Sequence, residues 1–154
     1  MTRRYEVAGE EPFEIEHLLL DVNGTLTDRG YLLAGVRERI GALRAELDVR
    51  LLSADTFGTL EELGRELGVE TTRIQTGMEK GDLARGLGGE SCAAIGNGRN
   101  DAEMLAEVRL GIVVLGPEGL SPQALSAARV MCPSIAVALD LLADPKALEA
   151  TLRR

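Results

Sequence analysis

Along the chain, short runs of apolar residues alternate with longer stretches in which apolar side chains recur every three or four positions. The first pattern is that of a buried strand and the second that of an amphipathic helix, so the alternation predicts an α/β fold. Strands are expected near 16–20, 49–52, 72–75, 92–95, 111–115 and 129–131. "GVRERIGALRAEL" spaces Val36, Ile40, Leu43 and Leu47 along one helical face with its charges turned outward, and "DTFGTLEELGRELGVE" does the same with Leu60, Leu63 and Leu67. Gly68 is placed to end that helix in a left-handed cap. "EKGDLARGLGG", "NDAEMLAEV" and "SPQALSAA" supply further helices, and Pro145 divides the last helical stretch. Helices interposed between successive strands imply a doubly wound, mostly parallel sheet covered on both faces, a three-layer Rossmann-like architecture. With no repeat, linker or low-complexity tract, residues 1–154 read as one domain.

This arrangement gives the polar residues their meaning. In an open α/β sheet, ligands bind in the crevice outside the carboxyl ends of the strands. Asp21 follows the first strand, Ser53 the second, and the loop 96–101 the fourth, so three polar clusters converge on one crevice.

Asp21 heads "DVNGTLTD", a glycine-centred turn expected to aim backbone N–H groups and the hydroxyls of Thr25 and Thr27 into the crevice, a nest suited to phosphate. An aspartate capping its own turn would use the same atoms. Ser53, with the backbone of Ala54, offers a hydroxyl and amides at a helix start, where the dipole favours an anion. An ordinary N-cap would look alike, with Asp55 and Thr56 as rivals. Lys80, one of few lysines in an arginine-rich chain, is suited to neutralise a phosphoryl group, although a lysine at a helix start is commonly just solvated. "AAIGNGRNDAEML" turns from strand to helix through Gly96 and Gly98. A dinucleotide fingerprint would need a third glycine where Asp101 stands, which removes that cofactor. Asn97, Asn100 and Asp101 instead suit oxygen ligation of Mg²⁺.

Composition narrows the partners. A net charge of −8 opposes binding to nucleic acid or an anionic membrane, and 3% aromatic residues with no tryptophan leave little for base stacking. No apolar stretch approaches the ~20 residues of a membrane span. The start lacks a signal peptide's apolar region, so a cytoplasmic location is expected. One histidine, His17, excludes multi-histidine metal sites and opposes a Ser/His/Asp triad; it reads as structural. Cys92 and Cys132 lie in apolar runs without C-x-x-C spacing and read as free buried thiols.

Taken together, "DVNGTLTD", "LLSADTFGT", the lysine of "MEKGDLARG" and "IGNGRNDAEML" resemble, in order and spacing, the four motifs of the haloacid dehalogenase superfamily of phosphohydrolases. Within it the chain looks like a soluble relative of the P-type ATPase phosphorylation domain, whose pattern is echoed by "DVNGTLT", "SADTFGTLEELGRELGV" and "GNGRNDAEML". About 25 residues separate the first motif from the second, and a similar number the second from the third, too few for a usual cap domain. The resemblance therefore implies a capless member, of a kind that sometimes covers its site by forming a homo-oligomer. It further implies that Asp21 is the nucleophile forming an aspartyl-phosphate, that Thr25, Ser53, Ala54 and Lys80 bind the phosphoryl group, and that Asp21, the Asn23 carbonyl, Asn97 and Asp101 hold Mg²⁺.

Two residues depart from the phosphatase pattern. Asn23 stands where the general acid and base would be, and an amide cannot shuttle a proton that a carboxylate would move at a gain of ~10² to 10⁴ in rate. The pumps also lack an acid there, having threonine. Asn97 replaces a charged metal ligand with a neutral amide, which weakens metal binding and lessens repulsion of a phosphate dianion. The expectation is a slow, Mg²⁺-dependent phosphohydrolase or phosphotransferase acting on a small phosphorylated molecule. A non-catalytic phosphate or phosphometabolite binder, or a regulatory subunit on the same fold, is the competing reading.

Overall fold

The computed structural model describes residues 1–154. An antiparallel ribbon of β1 (Arg3–Tyr5) and β2 (Phe13–Ile15) leads into β3 (His17–Asp21), followed by a small hairpin of β4 (Thr27–Asp28) and β5 (Tyr31–Leu32). Then come α1 (Val36–Leu43), β6 (Asp48–Ser53), α2 (Leu60–Leu67), β7 (Glu70–Arg73), α3 (Gly77–Gly86) and β8 (Cys92–Gly96). The chain ends with α4 (Ala102–Glu107), β9 (Leu110–Val114), α5 (Pro122–Ala127), β10 (Val130–Cys132), α6 (Ile135–Ala143) and α7 (Pro145–Leu152).

Six strands form one parallel sheet in the order β10-β9-β8-β3-β6-β7. The chain winds outward from β3 to β7 on one side and returns to β8 on the other. The carboxyl ends of β3 and β8 therefore flank the switch point where a doubly wound sheet opens a crevice.

The period-2 alternation of each central strand divides the core. Leu18 and Leu20, Ala93 and Ile95, and Ile112 and Val114 pack with α1, α2, α6, α7 and the β1–β2 ribbon. Leu19, Cys92, Ala94 and Val113 pack against α3, α4 and α5. Leu18, Leu19 and Leu20 are all fully buried, each contributing on the order of 1.5–3 kcal/mol of transfer free energy. The expected three-layer fold is the one observed. The connection from β3 to β6 holds only the β4–β5 hairpin and α1, and that from β6 to β7 only α2, so no cap is inserted.

Several boundaries differ from expectation for identifiable reasons. β7 begins at Glu70 because it is an edge strand of polar residues, and the apolar Ile74 that suggested a later strand lies just beyond it, its N–H donating to the Ser53 carbonyl at 2.8 Å. α1 stops at Leu43, and Leu47 is buried by the following turn. Asp21 and Ser53 are the last residues of their strands, paired with Leu52 and Arg73. The cap at Gly68 forms as expected, with φ 69°. Pro145 occupies the first turn of α7, whose N-cap Asp144 accepts from the Ala147 N–H.

Neither hairpin was legible in the pattern. The β1–β2 ribbon is held by the Tyr5 hydroxyl donating to the Leu142 carbonyl at 3.0 Å and by the Arg109 guanidinium 4.6 Å above the Phe13 ring. The β4–β5 hairpin turns through Arg29 and Gly30, both at positive φ (49° and 87°), the backbone of a tight two-residue turn. His17 behaves structurally, its Nδ1 2.8 Å from Asp48 Oδ2 on the neighbouring strand. Both cysteines are free and buried.

Candidate active site

A crevice of about 920 Å³ lies over the carboxyl ends of β3, β6 and β8. Asp21, Asn23, Ser53, Ala54, Lys80 and Asn97 all lie on its walls. Six of the eight sequence-selected residues thus meet at one place; Thr25 and Asp101 lie behind it.

The centre is a buried ion triad. Lys80 Nζ lies 2.7 Å from Asp21 Oδ1 and 2.7 Å from Asp101 Oδ1, with Lys80 only 2% exposed. Lys80 is therefore not the solvated lysine of a helix start. α3, started by the Thr76 hydroxyl accepting from the Glu79 N–H, carries it inward over the sheet. Burial of the ammonium works against its charge, but the two carboxylates outweigh that and hold its pKa above the ordinary value. One ammonium cannot fully serve two acids. Desolvation, reinforced by the charge of Asp101, pushes the Asp21 carboxyl up to about 6 against the pull of Lys80 and Thr25. Asp21 is thus harder to ionise than a solvated aspartate.

Asp101 was expected to ligate a cation, and its geometry gives it a different task. It is fully buried and off the crevice wall. Its Oδ1 accepts from Lys80, and its Oδ2 accepts the N–H groups of Asn97 and Gly98 at 3.1 and 2.9 Å. It shapes the loop after β8 and anchors Lys80. Gly96 makes room for this, since a Cβ there would lie 2.5 Å from the Asp101 carboxylate.

Thr25 was expected to face the phosphate site but is fully buried behind Asp21. Its hydroxyl lies 2.8 Å from Asp21 Oδ2 and 3.0 Å from Asn97 Oδ1, two acceptors for one proton. Thr27 does reach the crevice wall, with its hydroxyl turned back to the Val22 carbonyl at 3.3 Å. The Asn97 amide is engaged at both ends, because its Nδ2 donates to the Gly119 carbonyl at 3.1 Å.

Ser53 is suited to an anion. Its Oγ accepts the Asp55 N–H at 2.9 Å, which leaves its own proton for a ligand beside Ala54. Ser53 does not stand at a helix start as expected, because α2 begins only at Leu60 behind its N-cap Thr59; Asp55, at φ 59°, reaches forward to accept the Leu60 N–H at 2.9 Å.

For a hard cation, the ends of the main sheet's strands present one carboxylate to the crevice, Asp21, with Asn23 and Asn97 also on the wall, and the fold contains no cluster of three ionisable ligands. Magnesium is commonly held by one or two carboxylates together with substrate phosphate oxygens. The residues present fit a weak site of that type, completed by a phosphorylated ligand.

The crevice wall also carries Asp28, Arg29, Phe57, Arg99 and Glu118, none of which sequence reasoning selected. The β4–β5 hairpin places Asp28 and Arg29, and its Arg-Gly turn lacks the Asn-Gly or Asp-Gly pair that would have marked it. Glu118 lies in a "GPEG" turn and carried no signal.

No family model matches the sequence. The chain is 42% identical over 60 residues to the uncharacterized protein MJ0073 of Methanocaldococcus jannaschii, a match covering 39% of this chain and 64% of that protein, less than two thirds of its length. It is 44% identical over 39 residues to the uncharacterized protein MJ0072 of the same organism, covering 25% of this chain and 89% of that protein. Among solved structures it is similar to 3-deoxy-D-manno-octulosonate 8-phosphate phosphatase from Moraxella catarrhalis, in complex with magnesium, phosphate and KDO, at TM-score 0.70 and 18% identity over 90% of this chain and 94% of that one. A putative HAD family hydrolase from Streptomyces avermitilis gives TM-score 0.68 and 20% identity over 90% and 87% of the two chains. A phosphoserine phosphatase in apo form gives 0.67 and 13% over 84% and 98%. The chain has the fold of these haloacid dehalogenase-family hydrolases, and by sequence it belongs to one family with the uncharacterized protein MJ0072.

Proposed function

We propose that this protein is a phosphohydrolase or phosphotransferase that acts on a small phosphorylated molecule through an aspartyl-phosphate on Asp21. The observation that carries the proposal is the placement of Asp21 at the switch point of the sheet, on the crevice wall, with Lys80 Nζ 2.7 Å from one carboxylate oxygen. Asp21 attacks phosphorus in line with the departing ester oxygen. The Ser53 hydroxyl and the Ala54 backbone orient the phosphoryl oxygens, and Lys80 offsets their charge where water is largely excluded. Mg²⁺, held by Asp21, the Asn23 carbonyl and the Asn97 amide oxygen, would screen carboxylate and phosphate from each other. Asn23 cannot relay a proton, so hydrolysis through position 23 alone is slow. The short connections after β3 and β6 and the P-type-like motifs support a capless, P-type-ATPase-like reading, in which a homo-oligomer would cover the site.

The test is phosphate release from a broad phosphoester panel with Mg²⁺, beside Asp21→Asn. Activity abolished by the substitution is the expected result. No release and no aspartyl-phosphate or beryllium fluoride adduct on the wild type would refute the proposal.

A second reading, a phosphate or phosphometabolite binder without turnover, is favoured by one observation: Asp101 is turned away from the crevice and leaves Asp21 as the one carboxylate that the main sheet's strand ends present there. Calorimetric binding of a phosphorylated ligand that is equal with and without Mg²⁺, with no product formed, would support it over the first.

A further inference from the structure

The acid and base lacking at position 23 has a candidate replacement on another loop. After β9 the chain folds into a tight turn in which the Gly116 N–H donates to the Gly119 carbonyl at 3.3 Å and the Gly119 N–H to the Gly116 carbonyl at 2.9 Å. Three contacts tie this turn to the loops that carry the site. Asn97 Nδ2 donates to the Gly119 carbonyl, and the Ser121 N–H donates to the Asn97 carbonyl at 2.8 Å. Gly116 lies so close to the Asp21 loop that a Cβ there would come within 2.0 Å of the Gly24 carbonyl oxygen.

Glu118 sits at the tip of that turn, with its carboxylate over Gly24. A Cβ on Gly24, at φ +77°, would meet Glu118 Oε2 at 2.5 Å. Gly24 directly follows Asn23. Glu118 lines the same crevice as Asp21 and Asn23 and takes part in none of the structure's ion pairs. The side chain is thus an exposed, uncommitted carboxylate lying beside the position that lacks one.

We infer that Glu118 is the general acid and base of the Asp21 reaction; the inference rests on the aspartyl-phosphate reading. In the first step an Asp21 oxygen bonds to phosphorus. The bond from phosphorus to the ester oxygen breaks, and its electron pair stays on that oxygen, which takes the proton of the Glu118 carboxyl. In the second step the Glu118 carboxylate takes a proton from water as the water oxygen bonds to phosphorus. The bond from phosphorus to Asp21 breaks, its pair returns to the carboxylate, and inorganic phosphate leaves.

The two steps can be separated with radiolabelled acetyl phosphate and Mg²⁺, because acetate departs without a proton and labelling then isolates the breakdown step. The label on acid-quenched protein is followed over time in wild type, Asp21→Asn, Glu118→Gln, Asp28→Asn and the double variant Glu118→Gln/Asn23→Asp. Wild type is expected to label and Asp21→Asn to stay unlabelled. Glu118→Gln is expected to label but lose the label ~10²-fold or more slowly, and Asn23→Asp to restore the rate in that background. Breakdown in Glu118→Gln at the wild-type rate overturns the inference, as does slowing by Asp28→Asn in its place. Slowing by Glu118→Gln that excess Mg²⁺ reverses makes Glu118 a cation ligand and also overturns it. A wild type that never labels removes the aspartyl-phosphate reading itself, an outcome distinct from a labelled wild type with an unaffected Glu118→Gln.

Discussion

Replacing Asp21 with asparagine should abolish chemistry and stabilise the fold. In the native state the carboxyl is pushed up from 3.8 to about 6, first by desolvation and then by the charge of Asp101. The native state therefore holds this proton more tightly than the unfolded chain does. The stability linked to it is fully present below about pH 4 and is lost as pH rises through about 6. A shift of about 2 units corresponds to roughly 3 kcal/mol that the ionised carboxylate costs the fold at pH 8. Asparagine keeps the shape and an acceptor for Lys80, and removes the cost. Thermal melts in a chelating buffer should show Asp21→Asn unfolding roughly 6–12 °C higher at pH 8, at about 2–4 °C per kcal/mol for a chain of this size. The gain should shrink toward zero at pH 4. An unchanged or lower melting temperature at pH 8, or a gain that persists undiminished at pH 4, would refute the picture of a buried carboxylate whose charge costs the fold.

Lys80→Met leaves two buried carboxylates facing each other. It should cost about 3–5 kcal/mol in urea titrations at pH 8, with the loss easing as acid protonates Asp21. Asn97→Asp gives up the bond to the Gly119 carbonyl and sets a second charge near Asp21. Without cation it should lose about 1–3 kcal/mol, and Mg²⁺ should raise its melting temperature more than it raises that of wild type. Arg29→Asn relieves a left-handed arginine at φ 49° in the hairpin turn before Gly30. Asn-Gly is the favoured pair for such a turn, so stability should rise by about 0.5–1 kcal/mol by chemical denaturation.

The sheet was legible because its central strands are buried on both faces. "HLLL", "CAAI" and "GIVVL" are apolar without interruption, and parallel pairing requires that. β7 was misplaced because an edge strand lacks that burial and wrote no apolar run. The β1–β2 ribbon went unseen because each strand has three residues and is held by distant partners, Leu142 and Arg109, that no local pattern contains. At the site, spacing found the residues but not their directions. Asp101 and Thr25 lie in the cluster with Asp21, yet one turns toward backbone amides and the other sits behind the Asp21 carboxylate. Glu118 was invisible because its place depends on a turn fitted across two other loops.

The Thr25 hydroxyl, between Asp21 Oδ2 and Asn97 Oδ1, has the geometry of a one-proton rotor, with one hydrogen for two acceptors. Swinging its hydrogen toward Asn97 bares the Oδ2 lone pair, and swinging it back quiets the oxygen again, with no heavy atom displaced. The carboxylate can therefore gain and lose a donor at the speed of a bond rotation while the sheet, the lysine and the loop after β8 stay still. Thr25→Val would lock the rotor out and leave two oxygens facing a methyl group.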